Sequence, residues 1–306
     1  MKLRKIKGNI LLLAASIIWG LAFVMQSDAA DKITPFTLNA TRALLASLAL
    51  LPVILFMKKN KGKTKEEIKL SEKRVWLAGI ECGVLLYIAV NLQQYGIALY
   101  PADAAVSARS GFITALYVII VPLLGIFGGK KIKFLGWLGV ALAVVGMYFL
   151  CFAGPVSGGY FADIVMLLCA LAFSLQILCI NHYGDTVDGI KLSAIEFLSC
   201  GTLSLISAFI FEEPSVDMLY AALPCILYLA FLSSGIGYTF QIIGQQLSGN
   251  PSVSSIIMSL ESVFAAIGGV VIMKKTLSVW EMIGCTVMFA ATIIAQIPDM
   301  DFKNKV

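Results

Sequence analysis

Charge is the first thing this sequence lacks. Only 13% of its 306 residues are Asp, Glu, Lys or Arg, about half the share of an ordinary globular chain. Histidine occurs once, at His182 at the cytoplasmic end of a span, too little for a histidine-built metal centre, and no Gly-x-Ser-Gly with an intramembrane histidine is present. The seven cysteines (Cys82, Cys151, Cys169, Cys179, Cys200, Cys225, Cys285) are odd in number and lie inside apolar runs without paired spacing. They read as small buried hydrophobes, and neither a disulfide frame nor a metal site is expected. No phosphate-cradling glycine loop is present, and Gly235-Ile236-Gly237 is followed by Tyr238 instead of the aspartate of an intramembrane aspartyl protease. These absences weigh against an enzyme, and no cofactor is expected. A receptor or scaffold would need a soluble signalling segment, which is also missing.

What is present is apolar. Hydrophobic residues make up 59% of the chain and the mean hydropathy is +0.90, more than a soluble fold of this size can hide from water. The surplus requires a lipid bilayer, so the expected location is the cell membrane. Crossing its hydrocarbon core takes about 20 apolar residues per helix. Ten such runs can be read: 9–27, 36–57, 75–99, 104–127, 133–153, 160–182, 190–211, 218–247, 252–273 and 278–297. Their length and their Gly, Ala and Ser content favour helices over barrel strands. The first run is long and leads straight into further spans, which reads as a span and not as a cleaved leader.

Lys and Arg orient the chain, because positive residues gather on the cytoplasmic side. With the amino terminus inside, cytoplasmic segments hold most of the 23, including Lys2 to Lys7 and the loop 58–74, whereas external segments hold Lys32, Lys274 and Lys275. Both termini are therefore predicted to be cytoplasmic. The formal charge of +5 records this threading and gives no support for a nucleic-acid partner.

The chain also repeats itself. Leu21-Ala22-Phe23 with Gln26 recurs as Leu171-Ala172-Phe173 with Gln176; Gln93, Gly96 and Leu99 recur as Gln241, Gly244 and Leu247; Gly139 recurs as Gly284. The common order and nearly constant offset indicate a five-plus-five duplication, with halves at 1–154 and 155–299 and a tail at 300–306. Since five is odd, the second half enters the membrane upside down relative to the first. Inverted repeats of this kind are typical of secondary carriers, which bind substrate near the midplane and expose it to each side in turn.

Trp19-Gly20 with Phe23, Pro35 followed by Arg42, and Gly111-Phe112-Ile113-Thr114 with Pro122 resemble the drug/metabolite transporter superfamily, and more narrowly its EamA-like members with two EamA domains. Leu260-Glu261 with Val263-Phe264, and Leu277-Ser278 leading to Ile283-Gly284, resemble the second-domain pattern of the same family. The resemblance implies a membrane carrier of small metabolites, with amino acids and related compounds a common export cargo. It also implies a central cavity lined by helices one to four and six to nine. Efflux of drugs or cationic compounds on the same fold is the alternative; an intramembrane enzyme is a remote one.

An ionisable residue inside a span costs roughly 2.5–3.5 kcal/mol on insertion scales, so it faces protein or water and is a functional candidate. Arg42, Glu81, Arg109, Glu196 and Glu261 qualify. Arg42 can clamp a carboxylate or phosphate with its planar fork; the competing reading is a structural ion pair. Arg109 lies nearer the outer end and can snorkel to the surface. Glu261, the deepest, is a candidate for proton coupling, for binding a substrate ammonium, or for an ion pair. Glu81 and Glu196 lie closer to the cytoplasm and suit a gate.

Polar stripes form the second signal. Tyr87, Asn91 and Gln94 share one face of span three, and Tyr238, Gln241 and Gln245 share one face of span eight. Ser107, Ser110, Thr114 and Tyr117 form a similar stripe in span four. Facing lipid, such groups have no hydrogen-bond partners, so the stripes are expected to line a shared lumen. Trp19, Phe23, Phe112 and Tyr238 are candidate stacking residues. Gly136, Gly139, Ala143 and Gly146 give span five a small-residue face for close helix contact, within the chain or in a homo-oligomer. The expected partners are thus a small-molecule substrate, the bilayer and protons as a coupling ion.

Overall fold

The structure, a computed structural model, describes residues 2–56, 65–100, 106–127, 134–151, 159–273 and 279–296. Among these, regular structure is entirely helical. The α-helices are α1 (Lys2–Ala30), α2 (Pro35–Phe56), α3 (Lys65–Ala98), α4 (Val106–Ala115), α5 (Tyr117–Phe127), α6 (Phe134–Cys151) and α7 (Tyr160–Tyr183). They continue as α8 (Gly189–Phe211), α9 (Val216–Ala221), α10 (Leu223–Leu227), α11 (Thr239–Ser248), α12 (Pro251–Met258), α13 (Glu261–Met273) and α14 (Val279–Gln296). A 3₁₀ turn at Gly184–Thr186 joins α7 to α8, and a π-helical segment, Tyr228–Tyr238, joins α10 to α11.

Long apolar helices satisfy their own backbone groups, which lipid does not. Eight described stretches are long and apolar enough to cross a membrane, and two shorter apolar ones, Phe134–Gly146 and Met282–Ala291, occupy the places of spans five and ten. The architecture is compatible with ten spans. Helix ends carry specific stop and start signals. The Asp188 carboxylate accepts from the backbone N–H groups of Ile190 and Lys191 at the start of α8, and Asn250 does the same for Ser252 and Val253 ahead of Pro251 in α12. Glu212, just past α8, reaches across to α2 and accepts from the N–H of Phe36 (2.8 Å) and Thr37 (2.9 Å). A carboxylate at that helix N-terminus also complements the helix dipole.

Three expectations change. Residues 65–74, read as part of a loop, are helical and form the first turns of α3; their Lys, Glu and Leu content is helix-forming, and Lys191 of α8 pairs with Glu72 there. Of that loop, 58–64 lie outside the described residues, as do Lys130, Lys131, Lys133, Lys274, Lys275 and the tail. Spans four and nine are not single helices: the first breaks at Leu116, between α4 and α5, and the second at Ser259–Leu260, between α12 and α13. Ser254, Ser255, Ser259 and Ser262 turn their hydroxyls back onto carbonyls three or four residues earlier, a bond that weakens the regular ladder. Span eight is π-helical over its middle.

Helix pairings follow the repeat. Span one (α1) packs on spans eight and nine (α11, α13), and span six (α7) packs on spans three and four (α3, α4, α5). Spans two and seven (α2, α8) pack on each other, as do five and ten (α6, α14). Every one of these contacts maps onto itself or onto a partner contact when the halves are exchanged. The α6–α14 seam uses the small-residue face within the chain: a Cβ at Gly146 would lie 2.9 Å from the carbonyl of Gly284. Gly20 permits a similar approach of α1 to α13, since a Cβ there would meet Phe264 at 2.4 Å.

Candidate functional site

Where the two broken spans meet, the molecule has a cavity lined by residues of both halves. Its walls are largely apolar and aromatic: Trp19, Ala22 and Phe23 from α1, Tyr117 from α5, Phe173 and Ile177 from α7, Tyr238 from the π segment and Met258 from α12. The polar groups facing it are Gln26, Arg42, Gln93, Thr114, Ser233, Gln241 and Glu261.

Both helix breaks deliver a polar residue to this space. Tyr117 is the first residue of α5 and Glu261 the first of α13, and the Tyr117 hydroxyl donates to Glu261 Oε1 at 3.0 Å. A half-helix N-terminus favours a carboxylate by its dipole, and broken spans at a repeat interface are the usual way in which carriers build a site at membrane depth. Trp19 is fixed by its indole N–H, which donates to the Ser233 carbonyl in the π segment (3.3 Å). Its ring meets that of Tyr238 at 4.8 Å, and Tyr238 in turn meets Phe197 edge-on at 5.4 Å. A π turn inside a helix often marks a functional position, and here it places Ser233 and Tyr238 against α1.

Arg42 is the unusual member. It is 4% exposed, and among the described residues it makes neither a hydrogen bond nor an ion pair; Tyr238 and Cys200 are its electrostatic neighbours. Arg42 and Glu261 therefore share a cavity without pairing. A buried guanidinium with no counter-charge is costly, so this position suits a ligand that brings an anionic group.

The repeat is also visible as chemistry. Gln26 Nε2 donates to Gln93 Oε1 at 2.9 Å, and Gln241 Nε2 donates to Gln176 Oε1 at 3.1 Å. These four glutamines are the residues that match between the halves of the sequence. The first pair ends on the Thr114 hydroxyl (3.3 Å), and the second on Glu196, whose Oε1 accepts from Gln176 Nε2 at 2.8 Å.

Of the residues singled out in sequence, Trp19, Phe23, Arg42, Thr114, Tyr117, Tyr238, Gln241 and Glu261 line the cavity. The rest lie elsewhere. Tyr87 and Asn91 tie α3 to α8, with hydroxyls of Tyr87 and Ser207 2.6 Å apart and Asn91 Nδ2 donating to Ser204 at 3.0 Å; Asn39 of α2 donates to Asn91 as well. Gln94 donates to the Gln26 carbonyl (3.1 Å). Gln245 is buried on α11, and neither of its amide atoms has a partner among the described residues. Arg109 pairs with Asp163 at the start of α7 and lies over the Tyr100 ring. Glu81 accepts from the Tyr183 hydroxyl (2.6 Å) at the end that carries the first residues of the chain. Sequence reasoning missed Gln26, Gln93, Phe173 and Ser233 as lining residues. The first three carry a signal in the sequence, because each belongs to the repeat matches and inverted-repeat carriers bind substrate at the repeat interface.

Two model matches to the EamA-like transporter family cover residues 6–152 and 160–296. The chain belongs to this family. The transporter is 26% identical over 300 residues to an uncharacterized transporter of Archaeoglobus fulgidus, spanning 96% of this chain and 87% of that one. It is 25% identical over 307 residues to the uncharacterized inner membrane transporter YedA of Escherichia coli K12, spanning 96% and 92%. A solved crystal structure superposes with a TM-score of 0.73 at 17% identity, covering 94% of this chain and 96% of that chain, and so shares the fold. The protein is thus a multi-pass transporter of the cell membrane.

Proposed function

We propose that the transporter moves a small metabolite, an amino acid or related compound, in the export direction by alternating access through the central cavity. The observation that carries this reading is Arg42, a buried guanidinium in the cavity wall without an ion-pair partner among the described residues. It takes the substrate carboxylate through a charge-assisted, two-pronged hydrogen bond. Glu261 takes the ammonium or serves as the proton-coupling group, and Trp19, Phe23, Phe173 and Tyr238 enclose the side chain. The two repeats, 1–154 and 155–299, exchange roles between the states open to either side, with both termini in the cytoplasm.

The second reading, efflux of cationic compounds, draws on Glu261 among aromatic walls. Arg42 opposes it, since like charges in a low-dielectric cavity repel. Flux into inside-out vesicles against a panel of amino acids and quaternary ammonium compounds, with and without a pH gradient, separates the two. Saturable amino-acid uptake with no cation flux is expected. Cation flux alone, or no flux of any panel member, overturns the reading, and flux indifferent to the gradient removes the proton.

A further inference from the structure

The two glutamine pairs differ in what terminates them, and the difference has chemical consequences. Glu196 is fully buried in α8, and when ionised its carboxylate can only accept hydrogen bonds. Gln176 must therefore turn its NH₂ toward Glu196, which leaves Gln176 Oε1 to accept from Gln241 Nε2. The carbonyl oxygen of Gln241, a residue of the cavity wall, is then left without a partner among the described residues. Glu196 Oε2 has no partner among the described residues, so a proton there would find no acceptor; placed on Oε1, the oxygen facing Gln176, it reverses the chain. The Glu196 O–H donates to Gln176 Oε1 after that amide turns, Gln176 NH₂ donates to Gln241 Oε1, and the NH₂ of Gln241 becomes the unpaired end. We infer that Glu196 is a positioning residue whose protonation, relayed through Gln176, decides whether Gln241 offers the substrate a hydrogen-bond acceptor or a donor.

This rests on the reading of the cavity as the substrate site and specifies how that site is regulated. The titratable groups in reach of Glu196 are Cys82 on α3, Cys200 on its own helix and Tyr238 on the π segment. Arg42 on α2 reaches Cys200, one turn further along α8, and makes no ion pair with Glu196. From α7 the facing group is the Gln176 amide itself. The Gln26–Gln93 pair supplies an internal control, since it ends on the neutral hydroxyl of Thr114 and has no titrating terminus.

Two measurements on the full-length protein test the switch. In the first, pH-difference infrared spectra of substrate-free wild type, Glu196→Gln and Gln176→Leu are compared. A carboxyl band absent from Glu196→Gln, accompanied by side-chain amide shifts that vanish in Gln176→Leu, is expected. A carboxyl band with no amide response, or amide shifts that survive in Gln176→Leu, overturns the proposal. In the second, proteoliposomes are offered tryptophan, whose indole N–H only donates, in competition with methionine sulfoxide, whose S=O only accepts. One hydrogen bond is worth about 0.5–1.5 kcal/mol net, so the flux ratio should change roughly 2- to 10-fold in favour of methionine sulfoxide as Glu196 protonates. The ratio should be independent of pH in Glu196→Gln and Gln176→Leu, and should keep its pH dependence in Gln93→Leu. A pH-independent ratio in wild type overturns the switch. Infrared coupling without flux of either probe supports the switch and overturns the substrate reading.

Discussion

The two halves of the transporter share a scaffold and differ in charge. Phe23 and Phe173, the Gln26–Gln93 and Gln176–Gln241 pairs, and the breaks at Leu116 and Ser259–Leu260 are common to both. The ionisable groups at and beside the cavity are not. Arg42 belongs to the first half and Glu196 and Glu261 to the second, and the break that delivers Glu261 in one half delivers Tyr117 in the other. Symmetry therefore builds the shared wall of the cavity, and the charges are what break it. Substitutions of the unmatched charges should be the most damaging, matched aromatics intermediate, and ties at the ends of the molecule mild.

The largest effect is expected at Arg42. A charge-assisted hydrogen bond contributes about 1.5–3 kcal/mol, so Arg42→Gln should lower flux at subsaturating substrate roughly 10- to 150-fold. Its thermal midpoint should hold or rise, because a buried charge without a partner is removed. A falling midpoint would make Arg42 structural and erase the contrast. Glu261→Gln keeps a group of the same shape beside Tyr117 but cannot ionise. Flux should lose its response to an imposed pH gradient, and an unchanged gradient response would remove Glu261 from coupling.

The matched aromatics should behave alike. Aromatic contacts add about 0.5–1.5 kcal/mol beyond area, so Phe23→Leu and Phe173→Leu should each weaken substrate binding roughly 2- to 10-fold, and by similar factors. A large disparity, read from the concentration dependence of flux, would mean that the halves contribute unequally to the apolar wall. The smallest effect is expected at the end ties. Arg109 and Asp163 are partly solvated, and such pairs contribute about 1 kcal/mol or less. A double-mutant cycle with Arg109→Gln and Asp163→Asn should return a coupling of that size, with transport within about twofold of wild type. Loss of transport in either single variant would place Arg109 with Arg42 after all.

Composition and repeat spacing were enough to read the architecture, because lipid imposes helices and an inverted repeat imposes the axis. The ionisable residues of the cavity were legible for the same reason: Arg42 and Glu261 are costly in a span and so stand out. Tyr87, Asn91 and Gln94 share one face of α3 and do not line the cavity; periodicity along one helix does not say which neighbour that face meets. Asn39, Ser204 and Ser207, on two other helices, take up the first two. Asp163, which engages Arg109 from 54 residues away, was hidden for the same reason. The π segment was illegible because its turns do not follow the α period on which a face is counted. The break at Ser259 lies in a serine-rich run whose back-bonding is a recognisable cause; that at Leu116 has no comparable signal.

The most direct test of the central claim is equilibrium binding of phenylalanine and of its carboxamide to the purified protein, in wild type and in Arg42→Gln. If Arg42 holds the substrate carboxylate, wild type should prefer the acid by roughly tenfold or more, and Arg42→Gln should bind the two equally. Equal binding by wild type, or a preference for the acid that survives in Arg42→Gln, would contradict the account.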